Sequence, residues 1–358
     1  MSLMHFLSIT QLRSEPPTPE RCPLHLRNTG TAKSRPAKLS PYFEDRFEDG
    51  GKSKANFRRI CEAASGFLTE VLRYGDEAFG LCSMHADKHT RRVDHTLLAL
   101  GRYTSAYLDA VSALLRGDCV DGCHPLLRSM LEAAFGIAYI VEDRHEAKGL
   151  AYQLVRIKRK IKKLRRADRT SQDGRHLETE LSADIFVPSI LGKMPNGLGS
   201  RADEIERRLS AKLAFAPILA EWDRLKHPAG GKRQPDPEWF TLFGGVKPCK
   251  GVRSLAAHLK WLSLYEFLYR DWSNSVHAGD AIDQYSTSDN CVRPLRYPAG
   301  YANVLSMAFA IFINGLERMS AFYNAGMGQQ VRDHAVKVLT PRLTDVAGEI
   351  QKALEPAM

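Results

Sequence analysis

A chain of 358 residues, 44% hydrophobic and 26% charged, has the composition of an ordinary globular protein and enough length to bury a full core. It offers no apolar run approaching the roughly 18 to 20 residues of a membrane span, since its most apolar stretch, YANVLSMAFAIFINGLERM, is broken by Asn303, Asn314, Glu317 and Arg318. The formal net charge of +10 is concentrated in RIKRKIKKLRRADR, 156–169, which holds nine Lys or Arg against one Asp, a net +8.

Residues 1–52 are expected to form a disordered arm, because 10–52 cluster Pro, Ser, Thr, Arg, Lys and Gly with too little apolar periodicity to offset the entropy of ordering them. The opening MSLMHFLSI lacks the basic region and cleavage site of a secretory signal. Seven scattered cysteines, an odd number, fit reduced thiols better than a disulfide framework. A soluble, cytoplasmic protein is expected.

From Ser53 onward apolar residues recur at three and four, and alternation of period two is nearly absent, so residues 53–358 are expected to form one all-α, multi-helix domain. Ser53 caps a first helix that runs to about Gly75 and buries Phe57, Ile60, Ala64, Phe67 and Leu72. A second covers about Arg92 to Leu115, a third Pro125 to about Glu142, and the basic helix about 146–169. On the basic helix Leu150, Leu154, Ile157, Ile161 and Leu164 form one apolar stripe, with cations on the remaining surface. Either these charges are simply solvated, or an anion relieves their repulsion, with Lys158, Lys162, Arg165 and Arg166 as the nucleic-acid-binding candidates and RNA as a partner. A helix from Arg201 to Lys226, kinked at Pro217, follows, then a loop whose Trp239 and Phe240 plug into the core. RSLAAHLKWL and LSLYEFLYRDWSNSVH read as helical, and Tyr301 to Asn324 and Gln329 to Leu354 form a closing pair.

The stretch YRDWSNSVHAGD, 269–280, carries the chemistry. At about 100° per residue, positions seven apart return to within about 20°, so Arg270 and His277 share a face about 10.5 Å apart along the axis. Glu266, Arg270, Ser273 and His277 make a polar stripe beside an apolar one of Tyr265, Tyr269, Trp272 and Val276. The third helix repeats the pattern, with Arg128 and Glu132 bordering Leu127, Leu131, Ala134 and Ala138. One reading is a structural ion-pair network that fixes helix register in a non-catalytic binding or regulatory protein. The other is phosphoryl-transfer chemistry needing neither metal nor cofactor. There His277 moves a proton and Arg270 neutralises phosphate, both catalytic, with Arg128, Glu132, Glu266 and Ser273 in support.

The residues LLRSMLEA, EWFTLFG, RSLAAHL and LYEFLYRDWSNSVHAG together resemble the bacterial helical family called domain of unknown function 5677, over roughly residues 90–325. Its Arg-Ser-x-x-Glu helix falls on Arg128, Ser129 and Glu132. Its Tyr-rich helix ending in Ser-x-x-x-His falls on Tyr265, Tyr269, Ser273 and His277. RDWSNSVH is also similar to the Arg-x4-6-His signature of HEPN ribonucleases, with polar Asp271 after the arginine. That resemblance implies a HEPN-like endoribonuclease of toxin–antitoxin or phage-defence type, a homodimer across a cleft, and an antitoxin or other protein partner. Cys119, Cys123 and His124, or His85, Asp87 and His89, lack the second half that a zinc site needs, so no metal is expected.

Overall fold

The structure is a computed structural model, and it describes residues 52–89, 91–117, 119–181, 197–228, 231–232, 234–242, 249–276, 285–286, 291–292 and 300–354. Apolar spacing of three and four becomes helix almost throughout them, and the fold is an all-α multi-helix bundle. Of the expected arm over 1–52, residues 1–51 lie outside the described residues, as do His277 and Gly279, while Lys52 opens the first helix.

Helix α1 spans Lys52–His89, α2 Arg92–Arg116, α3 Cys123–Glu142 and α4 His145–Ala167. Then come α5, Gln172–Glu180, α6, Leu198–Ser210, α7, Ala216–Lys226, and α8, Val252–His258. Helix α9, Leu262–Leu264, widens into a π-turn at Tyr265–Tyr269 and continues as α10, Arg270–Val276. A two-residue antiparallel pairing joins β1, Tyr285–Ser286, to β2, Cys291–Val292. The chain closes with α11, Tyr301–Tyr323, α12, Ala325–His334, a second π-turn at Ala335–Leu339, and α13, Thr340–Leu354.

Contacts group the described residues into two compact units. The first takes the described residues within 52–89, 98–141 and 259–354, the second those within 91–97 and 142–258. In the first, α11 packs against α1, α12 and α13. By length and composition α11 could cross a membrane, but 72% of its apolar window is buried in this packing. Its Leu305, Phe309, Phe312 and Met319 join Phe67, Leu68 and Val71 of α1 and Leu127, Leu131 and Phe135 of α3 in the core. Each such side chain, fully buried, contributes about 1.5–3 kcal/mol.

Helix α1 does not stop at Gly75. The glycine is buried inside the helix, and a Cβ there would collide with the Phe312 ring, so it serves close helix packing and not termination. Leu72 is half-buried, and Cys61, Leu68 and Val71 carry more of the buried face than the periodicity predicts. Gly75→Ala should gain up to about 1 kcal/mol of helix propensity and lose about 1–3 kcal/mol to overpacking. A net loss is expected in the urea midpoint, with recovery in Gly75→Ala/Phe312→Leu. A stabilised single variant would show that the ring moves aside freely.

In the second unit, Leu150, Ala151, Leu154 and Val155 of α4 pack with Leu209, Phe215, Ile218, Trp222 and Leu242. Trp239 covers this cluster and Phe240 is buried, as the sequence predicts. The Arg201–Lys226 stretch is not one kinked helix. It breaks between Ser210 and Ala216, and Pro217 falls in the first turn of α7, where its missing N–H costs nothing. The closing stretch is likewise interrupted, by a π-turn just before Pro341, whose nitrogen cannot donate to the Lys337 carbonyl.

Candidate functional site

Arg128 and Glu132 lie one turn apart on α3, where spacing of four places them side by side. Arg128 Nε is 3.4 Å from Glu132 Oε1, without the alignment of a hydrogen bond. What joins them is Tyr269. Its hydroxyl accepts from Arg128 Nη2 at 3.1 Å and donates to Glu132 Oε1 at 2.7 Å, while the guanidinium carbon sits 4.9 Å from the ring centroid. Tyr265 stacks on Tyr269 with centroids 5.1 Å apart, and Ser273 Oγ donates back to the Tyr269 carbonyl at 2.8 Å.

The electrostatics follow from this geometry. Burial, and then the Glu132 charge it bonds, push the Tyr269 hydroxyl up to about 12 against the opposing pull of Arg128. Tyr103 of α2 is also pushed up to about 12, by burial, by Tyr107 at a ring distance of 4.3 Å and by Glu132, with a hydrogen bond to Ser129 opposing. Helix α3 and the π-turn thus meet at Glu132, whose charge is also felt by Tyr103 of α2.

The other predicted site residues are not all drawn into this cluster. Arg270 lies 3.7 Å from Glu266, one turn back, and is 72% exposed. His277 lies outside the described residues. Periodicity places Tyr269 among packing residues, yet its hydroxyl is the hub. The available signal is that a buried tyrosine must find a partner for its O–H, and Arg128 and Glu132 are the polar groups at the core edge.

A second network ends α3 and opens α4. Buried Lys148 is paired with Asp143 and lies 3.8 Å from Glu142, whose Oε2 is 2.7 Å from His258 Nε2. The Lys148 hydrogen bond holds the Asp143 carboxyl below the usual carboxylate range.

Helix α4 carries its cations as predicted, and its acidic partners come from distant segments. Lys158 donates to Glu206 at 2.9 Å, and Arg165 reaches Glu206 and Asp203 at 2.6 and 2.8 Å. Lys162 and Lys226 share Asp236 at 3.2 and 2.7 Å, and Arg159 pairs with Glu238 at 2.7 Å. Of the four nucleic-acid-binding candidates, Lys158, Lys162 and Arg165 therefore hold carboxylates, while Arg166 is exposed. Among the described residues no group of three or more His, Cys, Asp or Glu is placed to hold a metal ion.

A family model described as "Family of unknown function (DUF5677)" matches residues 94–292. No curated protein and no solved structure matches the chain.

Proposed function

The chain belongs to the DUF5677 family, whose description names no activity, and we propose that it is a non-catalytic helical binding or regulatory protein whose Arg/Glu network fixes the register of its helices. The observation that carries this reading is the Arg128–Tyr269–Glu132 triad. Cation, hydroxyl and carboxylate are turned on one another, with the buried Arg128 Nε held against Glu132 by charge alone, which is how charges at a core edge are paired and not how a phosphate clamp is left open. Lys148 with Asp143 and Glu142 follows the same rule in the second unit.

A second reading is favoured by one feature. Arg270 is 72% exposed and directly follows a π-turn, a distortion frequent at functional sites. In that reading Arg270 and His277 belong to a HEPN-like, metal-independent endoribonuclease of toxin or phage-defence type. Incubating the purified chain with mixed RNA in EDTA separates the two. The binding-protein reading expects intact RNA for the wild type, His277→Ala and Arg270→Ala alike. Products ending in a 2′,3′-cyclic phosphate that disappear in His277→Ala would establish the ribonuclease instead.

A further inference from the structure

Nine cations in fourteen residues repel one another, and the fold answers five of them. Lys158, Arg159, Lys162 and Arg165 hold the acids already described, and Arg169 pairs with Glu178. Arg156, Lys160, Lys163 and Arg166 have no carboxylate partner among the described residues, and all four are exposed. Their spacing is not scattered. Steps of four, three and three put them within an arc of about 120° on α4, over a rise of about 15 Å. Lys158, Lys162 and Arg165 stand on the other side of the helix with their acids, and within the arc itself only Arg159, paired with Glu238, is neutralised.

The apolar stripe cannot turn this face toward a bilayer. Leu150, Leu154 and Ile161 are buried, so the helix keeps no free apolar side of the kind that inserts at a membrane surface. The partner must supply closely spaced negative charge and ask for no hydrophobic contact. A nucleic-acid strand does both. Along a duplex, each strand places a phosphate about every 3.4 Å of axis, so a 15 Å run of cations passes about four of them.

We propose that the Arg156/Lys160/Lys163/Arg166 face of α4 docks the phosphodiester backbone of nucleic acid, gripping charge without reading bases. The proposal rests on the reading of the chain as a binding protein and names its partner. Contacts of this kind position a protein and carry little sequence information, so affinity should be similar for unrelated sequences and strongly dependent on salt.

The test is fluorescence anisotropy of the full chain with a labelled mixed-sequence DNA duplex and a labelled single-stranded RNA, titrated across salt. The RNA is recovered afterwards and checked for cleavage. The quadruple variant Arg156→Gln/Lys160→Gln/Lys163→Gln/Arg166→Gln should flatten the plot of log K against log salt by about 3 to 4 on the duplex, and somewhat less on the single strand. Arg156→Lys/Arg166→Lys should bind like the wild type, since charge and not fork geometry is used. Arg201→Gln/Lys212→Gln/Lys232→Gln, which lowers net charge at exposed positions elsewhere, should leave the slope nearly unchanged. Comparison of duplex with RNA shows which polymer is preferred. Failure to bind either polymer at low salt, an unchanged slope in the quadruple variant, an equal loss in the control, or binding confined to phosphatidylserine vesicles would each overturn the proposal. Intact but unbound RNA removes only this inference, whereas cleaved RNA removes the non-catalytic reading.

Discussion

Arg128→Ala is expected to destabilise the protein by about 2–3 kcal/mol, below the 3–5 kcal/mol typical of stranding one partner of a fully buried pair. The discount has a structural reason. Arg128 is only 21% exposed, but Glu132 is 46% exposed, so water takes over part of what the guanidinium supplied. Tyr269→Phe keeps the ring stack on Tyr265 and loses one hydrogen bond given and one received, for about 1–2 kcal/mol. Because the two residues share one network, the double variant should lose less than the sum. Thermal melting checks this: at about 2–4 °C per kcal/mol, Arg128→Ala should melt about 4–12 °C below the wild type. A melting temperature unchanged in Arg128→Ala would remove the register role. The same site gives an alkaline signature. Tyr269 in the fold holds its proton to about 12, whereas in the unfolded chain it releases it near its ordinary value of about 10. The unfolded chain therefore binds fewer protons between these values, and stability falls as pH rises through that window. Tyr269→Phe should shed part of that fall.

The second large effect concerns the acids that face α4. Lys158 lowers the Glu206 carboxyl, aided by Arg165, while Asp236 is pushed up by burial and pulled further down by Lys226 and Lys162. A carboxylate whose folded value lies below its unfolded one contributes fully above the unfolded value, about 4, and loses that contribution as pH falls through the folded one. Acid should therefore weaken the second unit below about pH 4. Glu206→Gln/Asp236→Asn should reproduce the weakening at neutral pH, since it strands Lys158, Lys162 and Lys226 and leaves Arg165 with Asp203 alone. Both acids are about one-third exposed, so the expected loss is about 2–3 kcal/mol, partly restored by high salt. Chemical denaturation across pH and salt measures it. An acid response equal in wild type and double variant would contradict the assignment.

Local periodicity made much of this legible. The all-α fold, the bounds of α3 and α4, and the neighbourhood of Arg128 and Glu132 all follow from spacings of three and four within one helix. What stayed hidden is non-local. Arg159 and Glu238 stand 79 residues apart, and Arg165 and Glu206 stand 41 apart, so nothing in the run of cations reveals which would be neutralised. Gly75 signals a stop by residue type, and only the Phe312 ring packed against it gives the position its meaning. Tyr269 is buried as its stripe predicts, and only the fold brings Arg128 and Glu132, 141 and 137 residues away, to its hydroxyl.

That widened turn has a further consequence. Trp261, just ahead of α9, sits against Phe135 with ring centroids 5.6 Å apart, and Tyr269, at the end of the π-turn, reaches Arg128 and Glu132. Both anchors lie on α3, so the segment between them is measured against a fixed ruler. A π-turn holds one residue more than a regular turn, and it works as a vernier that lets both ends engage at once. Removing one residue from Tyr265–Tyr269 would swing everything after it by about 100° relative to everything before. Either the tryptophan or the tyrosine would then leave its berth. Chain length across this turn is therefore as tightly constrained as the identity of the residues in it, and an insertion or deletion here should be less tolerable than most substitutions.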